Sequence, residues 1–348
     1  MHDYREDRDQ YSDSDLNNLN IHDNIIIPPP LEPGWKMKLW KKSNVIFSGL
    51  ILFYLTGAAL WWTAGLAVRN IPGIALLLSG APPFILEGFS LLAAVAALLI
   101  PCLFILKLEK LPRAAIIPFA GKINPHIILT AVGCCLGASV IGVFLSHYVS
   151  YIFEGIGGVT PDMPELLPEM TNTGAMVVRV INITLVPAIF EELLFRGAVM
   201  QPLRRYGDRF ALIVSSFLFA VAHGNMIQAP NAFVAGLVFG YFAMRTNSLL
   251  VPIIMHLINN SFAAFIGLYM LSNQAEEIWV LGAGYLFFCL IAGVVGLIAA
   301  MKLYPEPLHD YRQARTPVIK YVIFAFSPAA AAFIYLTVRS MRYFLIPL

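Results

Sequence analysis

Long uninterrupted blocks of apolar residues constrain this chain more than any other feature of its sequence. A helix needs roughly 20 consecutive apolar residues to cross the hydrocarbon core of a bilayer, and several blocks reach that length. A helix also satisfies all of its backbone hydrogen bonds within one segment, which lipid requires. The chain is 58% hydrophobic and only 13% charged, whereas soluble domains hold about 25% charged residues. The sequence therefore predicts an all-α, polytopic transmembrane bundle.

The apolar blocks predict about eight or nine membrane spans. They lie near residues 44–67, 84–106, 126–152, 174–203, 210–224, 230–245, 249–272, 278–301 and 318–338. The fifth and sixth blocks are short, and the break at Pro230 predicts a turn inside the bilayer or at its edge. Residues 1–34 are polar and acidic, so we expect a disordered tail. Residues 35–348 then form the membrane domain, with a motif-bearing core at about 174–265.

Basic residues alternate with acidic ones from loop to loop. Lys and Arg collect in loops that stay in the cytoplasm, and here they precede span 1 and follow spans 2, 4, 6 and 8. The loop after span 3 is acidic, with Glu154 and Asp162 among its residues. Only Arg339 and Arg342 depart from this pattern. We therefore predict a cytoplasmic N terminus, and because the basic residues are scattered, we expect no binding of nucleic acid.

Pairs of glycines four residues apart predict where helices pack closely. Gly133 and Gly137 lie in span 3, and Gly236 and Gly240 lie in span 6. Small residues at this spacing let two backbones approach within a membrane. We expect helix packing, and no chemistry, at these four positions.

Span 4 carries three charged residues inside an apolar helix: Glu191, Glu192 and Arg196. Charged side chains deep in a membrane helix are costly, and by default they mark function. Residues four apart share one helix face, so we expect Glu192 to pair with Arg196. Glu191 is rotated by about 100° from Glu192 and lacks that partner. We therefore predict that Glu191 is the carboxylate available as a general base.

Spans 5 and 7 carry further polar residues at a similar depth. His223 lies in span 5, and His256 and Asn260 share one face of span 7 because they are four residues apart. Counted from the basic loops at ~1.5 Å per residue, Glu191, His223 and Asn260 lie about 20 Å deep and His256 about 13 Å. Each of these residues alone could simply join two helices by a hydrogen bond. Their similar heights predict one shared pocket.

Three motifs in this order resemble those of the CPBP intramembrane proteases, which include CAAX prenyl proteases and bacterial Abi or bacteriocin-processing enzymes. The motifs are Glu191-Glu192-x-x-x-Arg196, Phe219-x-x-x-His223 and His256-x-x-x-Asn260. Their presence on separate spans makes the resemblance specific, and it covers about residues 174–265. It implies a multi-pass protein of a bacterial cell membrane that hydrolyses a peptide bond within the membrane.

The resemblance also implies a role for each motif residue. Glu191 and His223 would activate the attacking water, while His256 and Asn260 would stabilise the oxyanion of the tetrahedral intermediate. The other two charged residues of the first motif would orient Glu191. The substrate would be a protein or peptide in or at the bilayer, and no cofactor or metal would be required.

Two other interpretations remain open. A zinc peptidase could use Glu191, His223 and His256 as ligands, because two His and a carboxylate form a legitimate catalytic zinc set. The chain lacks the helical His pair with an intervening Glu that is typical of zinc proteases. Alternatively, the intramembrane Glu and His residues could serve a transporter or a non-catalytic immunity protein. Transporters commonly contain inverted repeats, and the sequence contains no internal repeat.

Overall fold

The computed structural model describes residues 33–71, 81–110, 123–155, 172–272, 275–306, 308 and 317–341. Within these ranges the chain is almost entirely helical and forms no β-strand. The ten helices are α1 Trp35–Asn70, α2 Pro83–Glu109, α3 Pro125–Gly155, α4 Thr173–Glu192, α5 Asp208–Ala222, α6 Ala229–Thr246, α7 Leu250–Ser272, α8 Ala275–Leu303, α9 Pro317–Ala325 and α10 Pro328–Met341. The predicted all-α fold class is confirmed, and all but the last two residues of the predicted 1–34 tail lie outside the described residues.

The α4 helix continues without a break into a π-helical segment, Leu193–Met200, and a last α-helical turn, Gln201–Arg204. A π-helix forms hydrogen bonds between residues i and i+5, is rare, and occurs frequently at functional sites. Here it begins directly after Glu192 and contains Arg196. The residue spacings in span 4 were interpreted with α-helical geometry throughout, so the π segment was not predicted.

Five of the helical segments in the described residues are long and apolar enough to cross a membrane. They are α1, α2, α3, α4 with its continuation, and α8. The pair α9 and α10, bent by 75°, would make a sixth span. This number is smaller than the predicted eight or nine because the fifth, sixth and seventh predicted spans do not qualify. The α5 helix holds 15 residues, α6 holds 18 but is less apolar, and the apolar part of α7, Leu250–Ile266, is shorter than 18 residues. At ~1.5 Å per residue, α5 is about 22 Å long, which is shorter than the hydrocarbon core.

The predicted break between α5 and α6 is confirmed. The α5 helix ends at Ala222, and α6 begins at Ala229 with Pro230 in its first turn. Gly224 takes a left-handed conformation, with φ of 63°, and the side chain of Asn225 accepts the backbone N–H of Ile227 at 2.9 Å. This compact turn brings α6 back antiparallel to α5.

Close backbone contact joins α3 to α8. A Cβ atom added to Gly137 would lie 2.6 Å from the Cα of Gly293, and one added to Gly296 would lie 2.6 Å from the backbone nitrogen of Cys134. A Cβ on Gly133 would lie 2.7 Å from a carbonyl oxygen of α8. We call Gly133, Gly137, Gly293 and Gly296 the glycine seam. The close packing predicted for the two α3 glycines is confirmed.

The helices α4 to α7 form the centre of the molecule. The α4 helix packs against α2 and α7, α5 packs against α6 and the π segment, and α6 packs against α3. The largest cluster of buried apolar side chains surrounds the π segment and α5, and it includes Leu194, Phe210 and Phe219. Side chains that face each other across these four helices are therefore shielded on several sides by the rest of the bundle.

Candidate active site

A fully buried ion pair stands at the start of the π segment. Arg196 Nη1 donates to Glu192 Oε1 at 3.0 Å, and neither side chain is exposed at all. The guanidinium also donates to the backbone carbonyl of Gly236 at 3.2 Å. It lies over the ring of Phe219 at 4.4 Å and over that of Phe239 at 5.4 Å. The predicted pairing of Glu192 with Arg196 is thus confirmed, and the pair is held between two aromatic rings.

Gly236 of α6 explains how the guanidinium reaches this position. A Cβ atom at this residue would lie 3.3 Å from Arg196 Nη2 and 3.1 Å from the Cβ of Ser216. Any larger residue would therefore crowd the cation away from its carbonyl partner. Gly236 packs closely, as predicted, and its lack of a side chain also leaves room for the Arg196 guanidinium.

His256 of α7 connects the two glutamates of α4. Its Nδ1 lies 3.0 Å from Glu192 Oε1, and its Nε2 lies 3.9 Å from Glu191 Oε2. The ring stacks on Phe239, with centroids 5.0 Å apart, and it meets the ring of Phe219 edge-on at 5.9 Å. Because a carboxylate only accepts hydrogen bonds, Nδ1 carries a proton and donates to Glu192. The Nε2 atom is left to face Glu191.

Glu191 differs from Glu192 in its surroundings. Its side chain is 19% exposed, whereas that of Glu192 is fully buried. The Oε2 atoms of both carboxylates are shielded from solvent and have no hydrogen-bond partner, but Glu192 is already held through its Oε1 by Arg196 and His256. A buried carboxylate oxygen without a donor is costly unless something binds there. Glu191 is therefore the carboxylate of this cluster that is free to accept a proton or a hydrogen bond from an incoming molecule.

His223 occupies the C-terminal end of α5. Its backbone N–H bonds to Ala220 in a tightened last turn, so the carbonyl of Phe219 lacks its usual helical donor. The His223 Nδ1 atom takes that position at 2.8 Å. A carbonyl accepts only, so Nδ1 carries a proton, and in a neutral ring Nε2 is then the acceptor nitrogen. Tyr54 of α1 also caps this end, since its hydroxyl donates to the carbonyl of Val221 at 3.2 Å.

Asn260 lies one turn beyond His256 on α7 and contacts the backbone of α4. Its Nδ2 donates to the carbonyl of Ile183 at 3.3 Å. That carbonyl is available because Pro187, four residues later, has no N–H to donate to it. The neighbouring Asn259 donates to Asn260 Oδ1 at 3.3 Å. Ser139 of α3 lies 2.6 Å from Asn259 Oδ1.

The structure brings the six predicted residues together to different degrees. Four are in direct contact or nearly so: Glu191, Glu192, Arg196 and His256. His223 joins them through the Phe219 ring, whose centroid is 4.8 Å from that of His223, and Asn260 joins them through the α4 backbone. Glu192, which the resemblance assigns to the support of Glu191, makes its contacts to Arg196 and His256.

Some contributors to this site were not predicted from the sequence. Phe219 belongs to the second motif, but its ring contacts were not expected. Pro187 precedes Glu191 by four residues, a spacing that could have placed it on the same face as the site. Phe239 and Tyr54 carry no such signal, because an aromatic residue in an apolar helix looks like ordinary packing. Within the described ranges, no group of three or more His, Cys, Asp and Glu side chains could hold a metal ion.

Comparisons with known proteins agree with the motifs. Residues 173–262 match the family model of the Rce1-like type II CAAX prenyl endopeptidases. A Bacillus subtilis (strain 168) protein named "Putative membrane peptidase YdiL" is 24% identical over 151 residues, which cover 41% of this chain and 62% of that relative. No solved structure matches the chain. The matched segment contains all six motif residues, so the predicted resemblance to the CPBP proteases is confirmed.

Proposed function

Because the segment that resembles the type II CAAX prenyl endopeptidases contains the whole polar cluster, we propose that this protein is an intramembrane endopeptidase. One observation carries the proposal most directly. The buried Oε2 of Glu191 has no hydrogen-bond donor, and the imidazole of His256 lies 3.9 Å from it. A water molecule bound by this oxygen would stand beside a second polar group, in surroundings from which bulk water is largely excluded. Peptide hydrolysis needs such a water.

Glu191 and His223 supply the bases. Glu191 accepts a proton as the water oxygen forms a bond to the carbonyl carbon of the peptide. When the His223 ring is neutral and Nδ1 donates to Phe219, Nε2 accepts a hydrogen bond from the same water and orients it. Collapse of the tetrahedral intermediate breaks the C–N bond, and the proton on Glu191 moves to the leaving amine. The products are a carboxylic acid and an amine, which exchange a proton to give a carboxylate and an ammonium group, and Glu191 returns to its starting state.

His256 and Asn260 supply donors where negative charge develops. Because Nδ1 of His256 already donates to Glu192, its Nε2 can donate only when the ring is an imidazolium. Asn260 uses one N–H for the Ile183 carbonyl and has a second N–H for the oxyanion.

Glu192 and Arg196 then act as the support of His256. Glu192 holds the Nδ1 proton, and Arg196 keeps Glu192 in place between two aromatic rings. This refines the role implied by the resemblance, in which the pair would orient Glu191. Orientation of a catalytic imidazole by a buried carboxylate is a general device of hydrolases.

The substrate of this proposal is a protein or peptide in or at the bilayer, and the location is a bacterial cell membrane with the N terminus in the cytoplasm. The match covers 62% of the Bacillus subtilis relative, so the activity, substrate and partners of the whole chain are proposals.

A transporter remains the alternative from another class, because intramembrane Glu and His residues also conduct protons. Transport that persists in a Glu191→Gln variant would favour it.

The proposal is tested by comparing membrane proteomes of cells that express wild-type protein, Glu191→Gln or Glu87→Gln. Glu87 is a matched control, since it lies in α2 and pairs with Arg179 at 3.5 Å. We expect new protein termini in wild-type and Glu87→Gln membranes and an uncleaved precursor with Glu191→Gln. Identical termini in all three strains would refute the proposal.

A further inference from the structure

Resting on the proposed function, we infer that Ser139, Asn259 and Pro187 are positioning residues that hold the Asn260 amide in its oxyanion-binding orientation. Ser139, Asn259 and Asn260 form a chain of hydrogen bonds that crosses three helices, and Pro187 leaves the last acceptor of the chain unpaired. It runs from Ser139 on α3 through Asn259 and Asn260 on α7 to the Ile183 carbonyl on α4.

The direction of the chain is set at its α4 end. A backbone carbonyl can only accept, so the Asn260 atom that faces Ile183 must be the nitrogen. The oxygen of Asn260 then faces Asn259 and accepts from its Nδ2 at 3.3 Å. This fixes the Asn259 amide in turn, with its oxygen toward Ser139. The hydroxyl of Ser139, 2.6 Å away, donates to that oxygen.

Pro187 makes the α4 end of the chain possible. In an unbroken helix the Ile183 carbonyl would accept the backbone N–H of residue 187, which proline lacks. An acceptor left unpaired in a membrane costs free energy, so the Asn260 amide is held there in preference to the reversed orientation. Pro187 also stands one turn before Glu191. The same helix thus carries Glu191, which is the proposed base, and the Ile183 carbonyl, which accepts from Asn260, the proposed oxyanion donor.

The Ser139 end of the chain prevents the amides from reversing. Ser139 also lies 2.9 Å from the carbonyl of Cys135, four residues earlier on its own helix. The hydroxyl has a single proton and two acceptors within reach, and we place that proton on the shorter contact, toward Asn259 Oδ1 at 2.6 Å. With Ser139 absent, Asn259 Oδ1 would lose its donor and both amides could turn. A turned Asn260 would present its oxygen, which repels an oxyanion.

The molecule contains a matched control for this hydrogen bond. Asn182 on α4 donates to Ser90 at 3.3 Å, an interhelical Asn–Ser contact on the side of α4 that packs against α2. Pro101 is, like Pro187, a proline inside a helix, in α2. Replacing Ser90 or Pro101 by Ala therefore makes the same chemical change as replacing Ser139 or Pro187.

The experiment measures kcat and KM in nanodiscs with a fluorogenic peptide that spans a cleavage site mapped by the proteome comparison. We expect Ser139→Ala and Pro187→Ala to lower kcat on the order of 10-fold, as loss of an orienting partner typically does, with KM unchanged. Ser139→Thr keeps the hydroxyl and should restore kcat. Binding of a peptide aldehyde, whose hydrate mimics the tetrahedral intermediate, should weaken in parallel with kcat.

A double-mutant test separates positioning from simple packing. In an Asn260→Ala background, Ser139→Ala should cause no further loss of kcat, because its effect passes through the missing amide. Equal losses with Ser139→Ala and Ser90→Ala, or a full further loss in the Asn260→Ala background, would overturn the inference. Wild-type kcat in both Glu191→Gln and Asn260→Ala would instead refute the proposed function and the inference with it.

Discussion

Between α3 and α8 the helices touch backbone to backbone, whereas α4, α5, α6 and α7 are joined through polar and aromatic side chains. The glycine seam leaves no room for a Cβ atom at Gly137 or Gly293, and its stability comes from close packing. At the site, a buried cation, two carboxylates and an imidazole depend on each other's charges. The glycine seam tolerates no added volume, and the polar cluster of α4 to α7 tolerates no unbalanced charge.

The largest expected effect on stability is at the buried ion pair. Arg196→Met leaves the Glu192 carboxylate without its cation in a fully buried position, which we expect to cost about 3–5 kcal/mol of unfolding free energy. Reversible unfolding in mixed micelles measures the loss. The control is Arg179→Met, whose partner Glu87 and own side chain are partly exposed. Equal losses in the two variants would contradict the charge-dependent account of the site.

An added methyl group should damage the glycine seam without changing the chemistry. The Cβ of a Gly293→Ala variant would lie 2.5 Å from the Cα of Gly137, and such overpacking costs about 1–3 kcal/mol. Gly284→Ala, on the same helix with open space around its Cβ, should be neutral. The same unfolding measurement compares them. The kcat of the folded fraction should equal that of wild type, and a fall in kcat would show that the two regions are coupled.

The aromatic walls of the site should show a smaller effect. Phe239→Leu removes the ring that stacks on His256 and faces Arg196, so we expect a loss of about 1 kcal/mol together with a lower kcat. Phe262→Leu removes a comparable ring contact, with Tyr285, away from the site. Both unfolding and kcat are measured. If Phe262→Leu lowered kcat as much as Phe239→Leu does, the Phe239 ring would have no specific role in holding His256.

A strong chelator should cause no change at all. The proposed chemistry uses a carboxylate, two imidazoles and an amide, so cleavage should persist in excess chelator with no stoichiometric zinc by elemental analysis. Loss of cleavage that is restored by added zinc would contradict this and favour the zinc peptidase. Enzyme washed with chelator and then transferred to chelator-free buffer is the control.

The sequence predicted the fold class, the break before α6 and the Glu192–Arg196 pair because each follows from local spacing or composition. It could not predict the π segment, since hydrogen-bond registers i+4 and i+5 leave no distinct pattern in eight residues of which only Arg196 is charged. It also missed the contact of Glu192 with His256, 64 residues away, which depends on how α4 and α7 pack. Among the described residues fewer helices meet the length and hydropathy of a span than were predicted, because an apolar block of 15 residues such as α5 resembles a span until its ends are placed.

The central claim is that Glu191 is the base of a peptidase, and the purified enzyme in nanodiscs tests it most directly. The measurement is the initial rate of cleavage of the fluorogenic peptide by wild type, Glu191→Gln and Glu87→Gln at equal folded concentration. We predict a loss on the order of 10³-fold for Glu191→Gln and wild-type rates for Glu87→Gln. A Glu191→Gln rate equal to that of wild type would contradict the claim.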